Sequence, residues 1–148
     1  MELEQPHETL AIATAAPIYK VEHIRLGTFL GGPLITGYMV AENYKVLGDV
    51  PKAKRAWAIS IGATVLLFAI IFLIPEDVKI PNVVFPIVYC WIAYYLVQHY
   101  QGTQLTEHIA NGEKVFGWGR VVLAGLISCV VTIAALFIVL FIAGALFG

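Results

Sequence analysis

The stretch VVLAGLISCVVTIAALFIVLFIAGALFG, residues 121–148, contains no charged side chain. A second stretch without charge covers residues 57–74. At 1.5 Å of helical rise per residue, about 18 such residues are enough to cross a hydrocarbon core of roughly 30 Å. The two stretches therefore predict two membrane-spanning helices, and they decide the fold class.

The composition also indicates a membrane protein of one domain. Of the 148 residues, 59% are hydrophobic and only 13% are charged, whereas about 25% of residues are charged in a typical soluble domain. The net charge of −1 argues against a nucleic-acid partner, which requires a basic surface. The first residues, MELEQP, are acidic, and the apolar stretch 10–16 is short. We therefore do not expect a cleavable signal peptide.

These patterns predict an all-α integral membrane helical bundle with three full spans, at residues 57–74, 82–100 and 121–147. Residues 1–22 are expected to form a polar, partly ordered leader, and residues 23–148 a single transmembrane domain. Prolines bracket the connection 75–81. Within a polar loop before the last span, residues 103–111 are expected to form a short separate helix that Gly112 ends.

A fourth apolar segment, residues 26–41, precedes these spans. Its 16 residues give a helix of roughly 24 Å, which is short for a full crossing. Gly32-Pro33 lies in its middle, and proline both removes a backbone donor and biases its predecessor away from helical angles. Two interpretations remain open: a kinked short span, or a re-entrant segment that returns to its own side.

The basic residues predict the orientation. If the fourth segment crosses the membrane, six basic residues lie on one side and three on the other. If it re-enters, eight lie on one side and only Lys79 lies on the outer side. Both divisions place the loops 42–56 and 98–120 in the cytoplasm, and the loop 75–81 and the C-terminus outside. Aromatic residues collect at the same cytoplasmic boundary, where amphipathic rings prefer to lie. They are Trp57, Tyr94, Tyr95, Tyr100 and Trp118.

Small residues indicate where helices could meet, because close approach in lipid requires small side chains. The candidate interface residues are Ala58 and Gly62 in the second segment and Ala124, Ser128, Thr132 and Ala135 in the last. They fit either packing within one bundle or a contact with another subunit or a second copy. Cys90 and Cys129 lie in different apolar runs, and we expect no disulfide between them.

No arrangement of residues predicts catalysis, a cofactor or a metal. His99, Glu107, His108 and Glu113 are metal-ligand types, but their spacing matches no compact metal motif. A broken helix can instead expose backbone groups to an ion or ligand. The candidates for such a path are Gly31, Gly32, Pro33, Glu42 and Asn43. The cations that could contact anionic lipid head groups are Lys45, Lys52, Lys54 and Arg55.

One set of short motifs resembles a known group of proteins. The segment TFLGGPL at 28–34 is followed by Gly-Tyr at 37–38, Asn-Tyr at 43–44 and Leu-Gly at 47–48, and later by HIANGEK at 108–114 with Trp118. This pattern resembles small uncharacterised bacterial multi-span membrane proteins over most of residues 24–135. The resemblance implies a bacterial inner membrane and a shared Gly-Gly-Pro feature, and it implies no activity.

The leading functional prediction is a non-enzymatic integral membrane subunit of a larger complex or homo-oligomer, with the lipid bilayer and other subunits as partners. The alternative is a small oligomeric transporter or channel with a path near residues 31–33 and Glu42. A membrane enzyme acting on lipid, through His99 or His108, is a third class. An enzyme is the least supported of these, because the sequence offers no nucleophile.

Overall fold

The computed structural model describes residues 16–148, which form four α-helices and no strand. In chain order they are α1 (Val21–Val46), α2 (Val50–Leu73), α3 (Val84–Ala110) and α4 (Trp118–Phe147). The predicted all-α class is confirmed. Most of the predicted leader, residues 1–15, lies outside the described residues.

Helix α2 begins seven residues before the predicted start at 57. Asp49 is its N-cap, with a side chain that accepts a hydrogen bond of 3.1 Å from the backbone N–H of Lys52. Pro51 follows in the first turn, where its missing N–H leaves no helical bond unmade. Gly48, with φ of 80°, separates this helix from α1. Three basic residues of the predicted loop 42–56, Lys52, Lys54 and Arg55, therefore lie in the first turns of α2.

Helix α3 runs without interruption, so the residues predicted as a short separate helix at 103–111 form its last part. Only Gln101 and Gly102 lie between the two predicted segments, and one glycine inside a helix costs only about 1 kcal/mol. The helix ends where Gly112 adopts a φ of 72°. Helix α4 then begins at Trp118, three residues before its predicted start.

Helix α1 is a hairpin of two antiparallel halves. Gly32, with φ of 74° and ψ of −168°, interrupts it, and we call residues 21–31 α1a and residues 33–46 α1b. The hydroxyls of Thr28 and Thr36 lie 2.7 Å apart, and the Tyr19 backbone N–H donates to Asn43 Oδ1 at 2.7 Å. A straight helix would separate residues 19 and 43 by about 36 Å.

The hairpin is the centre of the bundle. It packs against α2, α3 and α4, whereas within the described residues the backbones of these three helices do not come close to one another. We call the end that holds residues 16–20, 43–50 and 101–120 the base, and residues 31–33 the tip. At the base, Ile18 lies beside Val115 in a short parallel bridge. The Ile18 N–H donates to the Lys114 carbonyl at 3.2 Å, and the Ile18 carbonyl accepts from the Phe116 N–H at 2.9 Å. The leader, the start of α4 and the end of α3 therefore share one end of the molecule.

Two helices, α2 and α4, are long and apolar enough to cross a membrane. Their best 18-residue windows have mean hydropathies of 2.4 and 3.0, and only 6% and 0% of those windows are buried. The core helix of a soluble protein would pass the same test but would be mostly buried. Helix α3 is not apolar enough to be counted as a membrane span, because its second half contains Gln98, His99 and Gln101. Three full spans are therefore not shown.

Candidate functional site: the helix break

A serine from each of two flanking helices binds the backbone at the tip. The last carbonyls of α1a have no partner within the helix, and Ser128 of α4 donates to the Gly31 carbonyl at 3.1 Å. On the other side of the break, Ser60 of α2 donates to the Pro33 carbonyl at 2.8 Å. The break therefore comes with hydrogen-bond partners supplied by the rest of the chain.

The same serines mark the closest helix contacts. A Cβ on Gly31 would lie 2.8 Å from the Gly125 carbonyl oxygen and 2.9 Å from Ser128 Cβ. A Cβ on Gly37 would overlap both side-chain atoms of Ser60. Gly32 differs, because a Cβ there would meet nothing within 4 Å. The backbone conformation is what requires glycine at position 32, since its φ and ψ lie in a region that essentially only glycine adopts.

At the base, Asn43 joins three parts of the chain. Besides accepting from Tyr19, its Nδ2 donates to the Tyr19 carbonyl at 2.9 Å and to Gln101 Oε1 at 3.5 Å. Gln101 Nε2 in turn donates to the Val40 carbonyl at 3.1 Å. Asn43 is 0% and Gln101 1% exposed. The amide groups of this pair are used in holding the leader, α1b and α3 together.

Tyr19 extends this network toward α4. Its hydroxyl accepts a hydrogen bond of 3.1 Å from Arg120 Nε, and its ring packs against Phe116 at 4.3 Å and Tyr38 at 6.1 Å between centroids. Burial raises the pKa of Tyr19 to about 12, although the hydrogen bond from Arg120 opposes the shift. The phenol is therefore neutral at physiological pH and serves as a hydrogen-bonding group.

The five predicted path residues fall into two separate places. Gly31, Gly32 and Pro33 form the tip, and Glu42 and Asn43 lie at the base. Nine residues of helix, about 14 Å, separate Glu42 from Pro33. The Glu42 carboxylate accepts a hydrogen bond of 2.6 Å from Lys45 Nζ at the surface. The structure therefore does not bring Glu42 to the break.

The predicted interface residues also divide. On α4, Ser128 faces the hairpin, Ala124 and Thr132 are half-buried, and Ala135 is exposed. On α2, Ala58 and Gly62 are both exposed. The face of α2 that contacts the hairpin instead contains the buried residues Ala53 and Ser60. Sequence reasoning missed Gly37, Ser60, Gln101 and Gly125, although small or polar residues inside apolar helices were the available signal.

The histidines and cysteines of residues 16–148 form no common site. His108 is bonded at 2.6 Å to Glu113 Oε2, and its other ring nitrogen lies 3.3 Å from the Lys114 carbonyl, whereas His99 is exposed. No group of three or more potential metal ligands comes together in residues 16–148. Both cysteines are free, and Cys90 Sγ donates to the Arg25 carbonyl at 3.5 Å.

Of the four predicted lipid-binding cations, Lys45 lies at the base and the other three lie in the first turns of α2 next to it. Lys45 pairs with Glu42, and Lys52 pairs with Asp49 at 2.8 Å. The hydrogen bonds from Lys52 hold the pKa of the Asp49 carboxyl below its usual value. Lys54 and Arg55 are exposed in the first turns of α2. Two of the four cations are thus engaged within the chain.

No protein-family model, curated protein or solved structure matches this chain.

Proposed function

We propose that the chain is an integral membrane protein in which α2, α3 and α4 cross the bilayer and the α1 hairpin enters and returns on the side of the base. Exposed apolar side chains on α2 and α4 support this placement, because lipid is the solvent that such surfaces favour. The hydrogen bond from Ser128 to the Gly31 carbonyl, at the end of α1a, also supports it. At membrane depth, backbone groups freed by a helix break require partners within the protein.

The charges support a cytoplasmic base. Eight basic residues lie at the base and along the parts of α1a and α2 next to it, and Lys79 alone lies in the connection at the far end, among the described residues. Such asymmetry is typical of cytoplasmic loops. The resemblance to bacterial membrane proteins makes the inner membrane the proposed location, with the loop 75–81 and the C-terminus outside.

Within that membrane, we propose that the chain is a non-enzymatic subunit of a larger complex or a homo-oligomer. One observation carries this proposal: α2 and α4 continue far beyond the tip, and no other helix of residues 16–148 packs its backbone against these parts. Residues 61–73 follow Ser60, and residues 129–147 follow Ser128, which corresponds to about 20 Å and 28 Å of helix. A bundle complete in itself would pack these parts against one another.

Native mass measurement of the protein extracted in mild detergent tests the proposal. A stoichiometric partner or a homo-oligomer is the expected result, and a monomer without a partner would contradict it. Gly62→Leu and Gly119→Leu form a matched pair, since a Cβ at either helical glycine meets nothing within 4 Å. We expect Gly62→Leu, near the tip, to weaken the assembly, and Gly119→Leu, at the base, to leave it unchanged.

The helix break favours a second candidate, a small oligomeric transporter or channel. Ends of broken helices at membrane depth can contact ions or anionic groups, and the tip lies between α2 and α4. Flux measurements in liposomes test this candidate. Loss of pH-dependent flux in Glu42→Gln would extend the path to the base, and unchanged flux would exclude Glu42 from it. No flux with the native chain would reject the candidate.

A further inference from the structure

A groove of about 370 Å³ lies between α1a, α3 and the first residue of α4. Its volume is within the range of roughly 300–1,000 Å³ that is typical of small-molecule sites. None of the sites described above includes it. Six of its lining residues decide what it could bind: Glu22, Arg25, Phe29, Ile87, Trp91 and Trp118.

Two opposite charges lie beside each other on one wall of the groove. Glu22 and Arg25 are one helical turn apart, which places them on the same face of α1a. They form no ion pair within 4 Å, and neither is paired with another residue in the described part of the chain. The Arg25 guanidinium lies 5.5 Å from the centre of the Tyr94 ring. Both charged groups are exposed, so a ligand can reach them.

The groove changes from polar to apolar along the helix axes. Glu22 and Trp118 lie at its base end, where the ring of Trp118 packs 4.4 Å from that of His23. Phe29 lies about 10 Å further toward the tip, at seven residues of helical rise. Ile87 and Trp91, from α3, are exposed on the outer surface of the bundle. The gradient is therefore parallel to the long helices.

We propose that this groove binds a phospholipid with a phosphoethanolamine head group. The phosphate would contact Arg25, the primary ammonium group would donate to the Glu22 carboxylate, and an acyl chain would lie against Phe29, Ile87 and Trp91. The proposal rests on the membrane placement argued above. In that placement the charged end of the groove is at the bilayer surface, and the apolar end is inside the hydrocarbon.

The charge pattern selects among lipids. Arg25 would bind the phosphate of the lipid, because guanidinium groups bind phosphate well. Glu22 would repel a lipid of net negative charge, such as a phosphoglycerol lipid. A choline head group has no N–H with which to donate to the carboxylate. A zwitterionic lipid with a primary ammonium group satisfies both side chains.

Quenching of tryptophan fluorescence by brominated lipids tests the proposal. The chain has three tryptophans, of which Trp91 and Trp118 line the groove and Trp57 does not. In Trp57→Phe protein in detergent, we expect brominated phosphoethanolamine lipid to quench at lower concentration than its choline or glycerol counterparts. Equal quenching by all three lipids would overturn the proposal.

Variants of the two charges separate their roles. Arg25→Gln should weaken binding of the phosphoethanolamine lipid about fivefold, as expected for about 1 kcal/mol per cationic contact. Glu22→Gln should leave the binding of the choline lipid unchanged and should remove the preference for the phosphoethanolamine lipid over the choline lipid. Lys79→Gln, at the far end of the molecule, is the matched control and should change nothing. Unchanged lipid preference in Glu22→Gln would contradict the assigned role of the carboxylate.

Failure of this site is distinguishable from failure of the membrane placement. A chain that floats with vesicles and resists alkaline extraction but does not discriminate among head groups would overturn the groove alone. A chain that leaves the vesicles under the same treatment would overturn both. Because Glu22 and Arg25 are exposed, their substitution should not unfold the protein, and helix content measured by circular dichroism checks this.

Discussion

The two halves of this molecule, on either side of the hairpin tip, are held in different ways. In the base half, α1 contacts every other helix, and buried polar groups such as Asn43 and Gln101 are hydrogen-bonded across elements. In the far half, α2 and α4 continue past the tip with exposed apolar surfaces and no partner within the described residues. The base half is a packed unit, and the far half is a set of separate helices.

The difference shows which interactions define this fold. Lipid chains satisfy apolar surface as well as another helix does, so apolar side chains alone give helices little reason to associate in a bilayer. Close contacts at glycines and hydrogen bonds to the backbone hold the helices together instead, and both are concentrated between the tip and the base. The far half is consequently free to contact another subunit.

Gly37→Ala should cause the largest loss in the base half. Because the Cβ of the new alanine would overlap Ser60, α2 would have to move away from the hairpin. We expect the free energy of unfolding to fall by about 3 kcal/mol or more. Gly62→Ala on α2 is the control, since its Cβ meets nothing. Unfolding by denaturant in mixed micelles measures both. Equal stability of the two variants would contradict the described helix contact.

Asn43→Ala should have the next largest effect. The substitution leaves the Tyr19 backbone N–H and carbonyl without their partner in a buried site, which should cost about 2–3 kcal/mol of unfolding free energy. Asn82→Ala, in the exposed connection at the far end, should cost almost nothing. The same denaturation experiment compares them. If Asn82→Ala were the more destabilising variant, the two halves would have been assigned the wrong roles.

Gly32→Ala should cost about 2 kcal/mol of stability through backbone strain, since no side chain opposes the new Cβ. Gly119→Ala is the matched control, because its Cβ is equally free and its φ is negative. Thermal unfolding in detergent is sufficient for the comparison. A Gly32→Ala variant that is as stable as the control would indicate a continuous α1 rather than a hairpin.

Ser128→Ala should have the smallest effect of the four. It removes one hydrogen bond to the Gly31 carbonyl, and such bonds between membrane helices average about 0.6 kcal/mol. Thr132→Val is the control, because the Thr132 hydroxyl donates to a carbonyl of its own helix. Careful denaturant titration can resolve this difference. A loss above that of Asn43→Ala would place the main stabilising contact at the tip instead of the base.

Parts of this architecture could be predicted from the sequence, and others could not. Uncharged runs located α2 and α4, because length and composition suffice for that inference. The hairpin stayed one of two alternatives, since Gly32-Pro33 breaks a helix without fixing the direction in which the chain continues. The contact between Gly37 and Ser60 depends on which face of α2 turns inward, and periodicity is weak in helices that are apolar all round.

Asn43 shows why the sequence could not place the candidate path residues relative to one another. A polar residue after an apolar segment has the same sequence pattern whether its amide contacts an ion or the backbone of a distant segment. The partner of Asn43 is Tyr19, 24 residues earlier, and only the return of the hairpin brings them together. Glu42 is close to the break in sequence, but about 14 Å of helix separates it from Pro33.

The side of the membrane on which the leader lies is the most direct test of the re-entrant hairpin. Single cysteines replace Lys20, Lys54 and Lys79 in a chain carrying Cys90→Ala and Cys129→Ala, and intact cells are treated with a membrane-impermeant thiol reagent. We predict labelling of the variant at position 79 alone, with positions 20 and 54 labelled only after the membrane is opened. Labelling of positions 20 and 79 together in intact cells would show that α1 crosses the membrane, and it would contradict the hairpin.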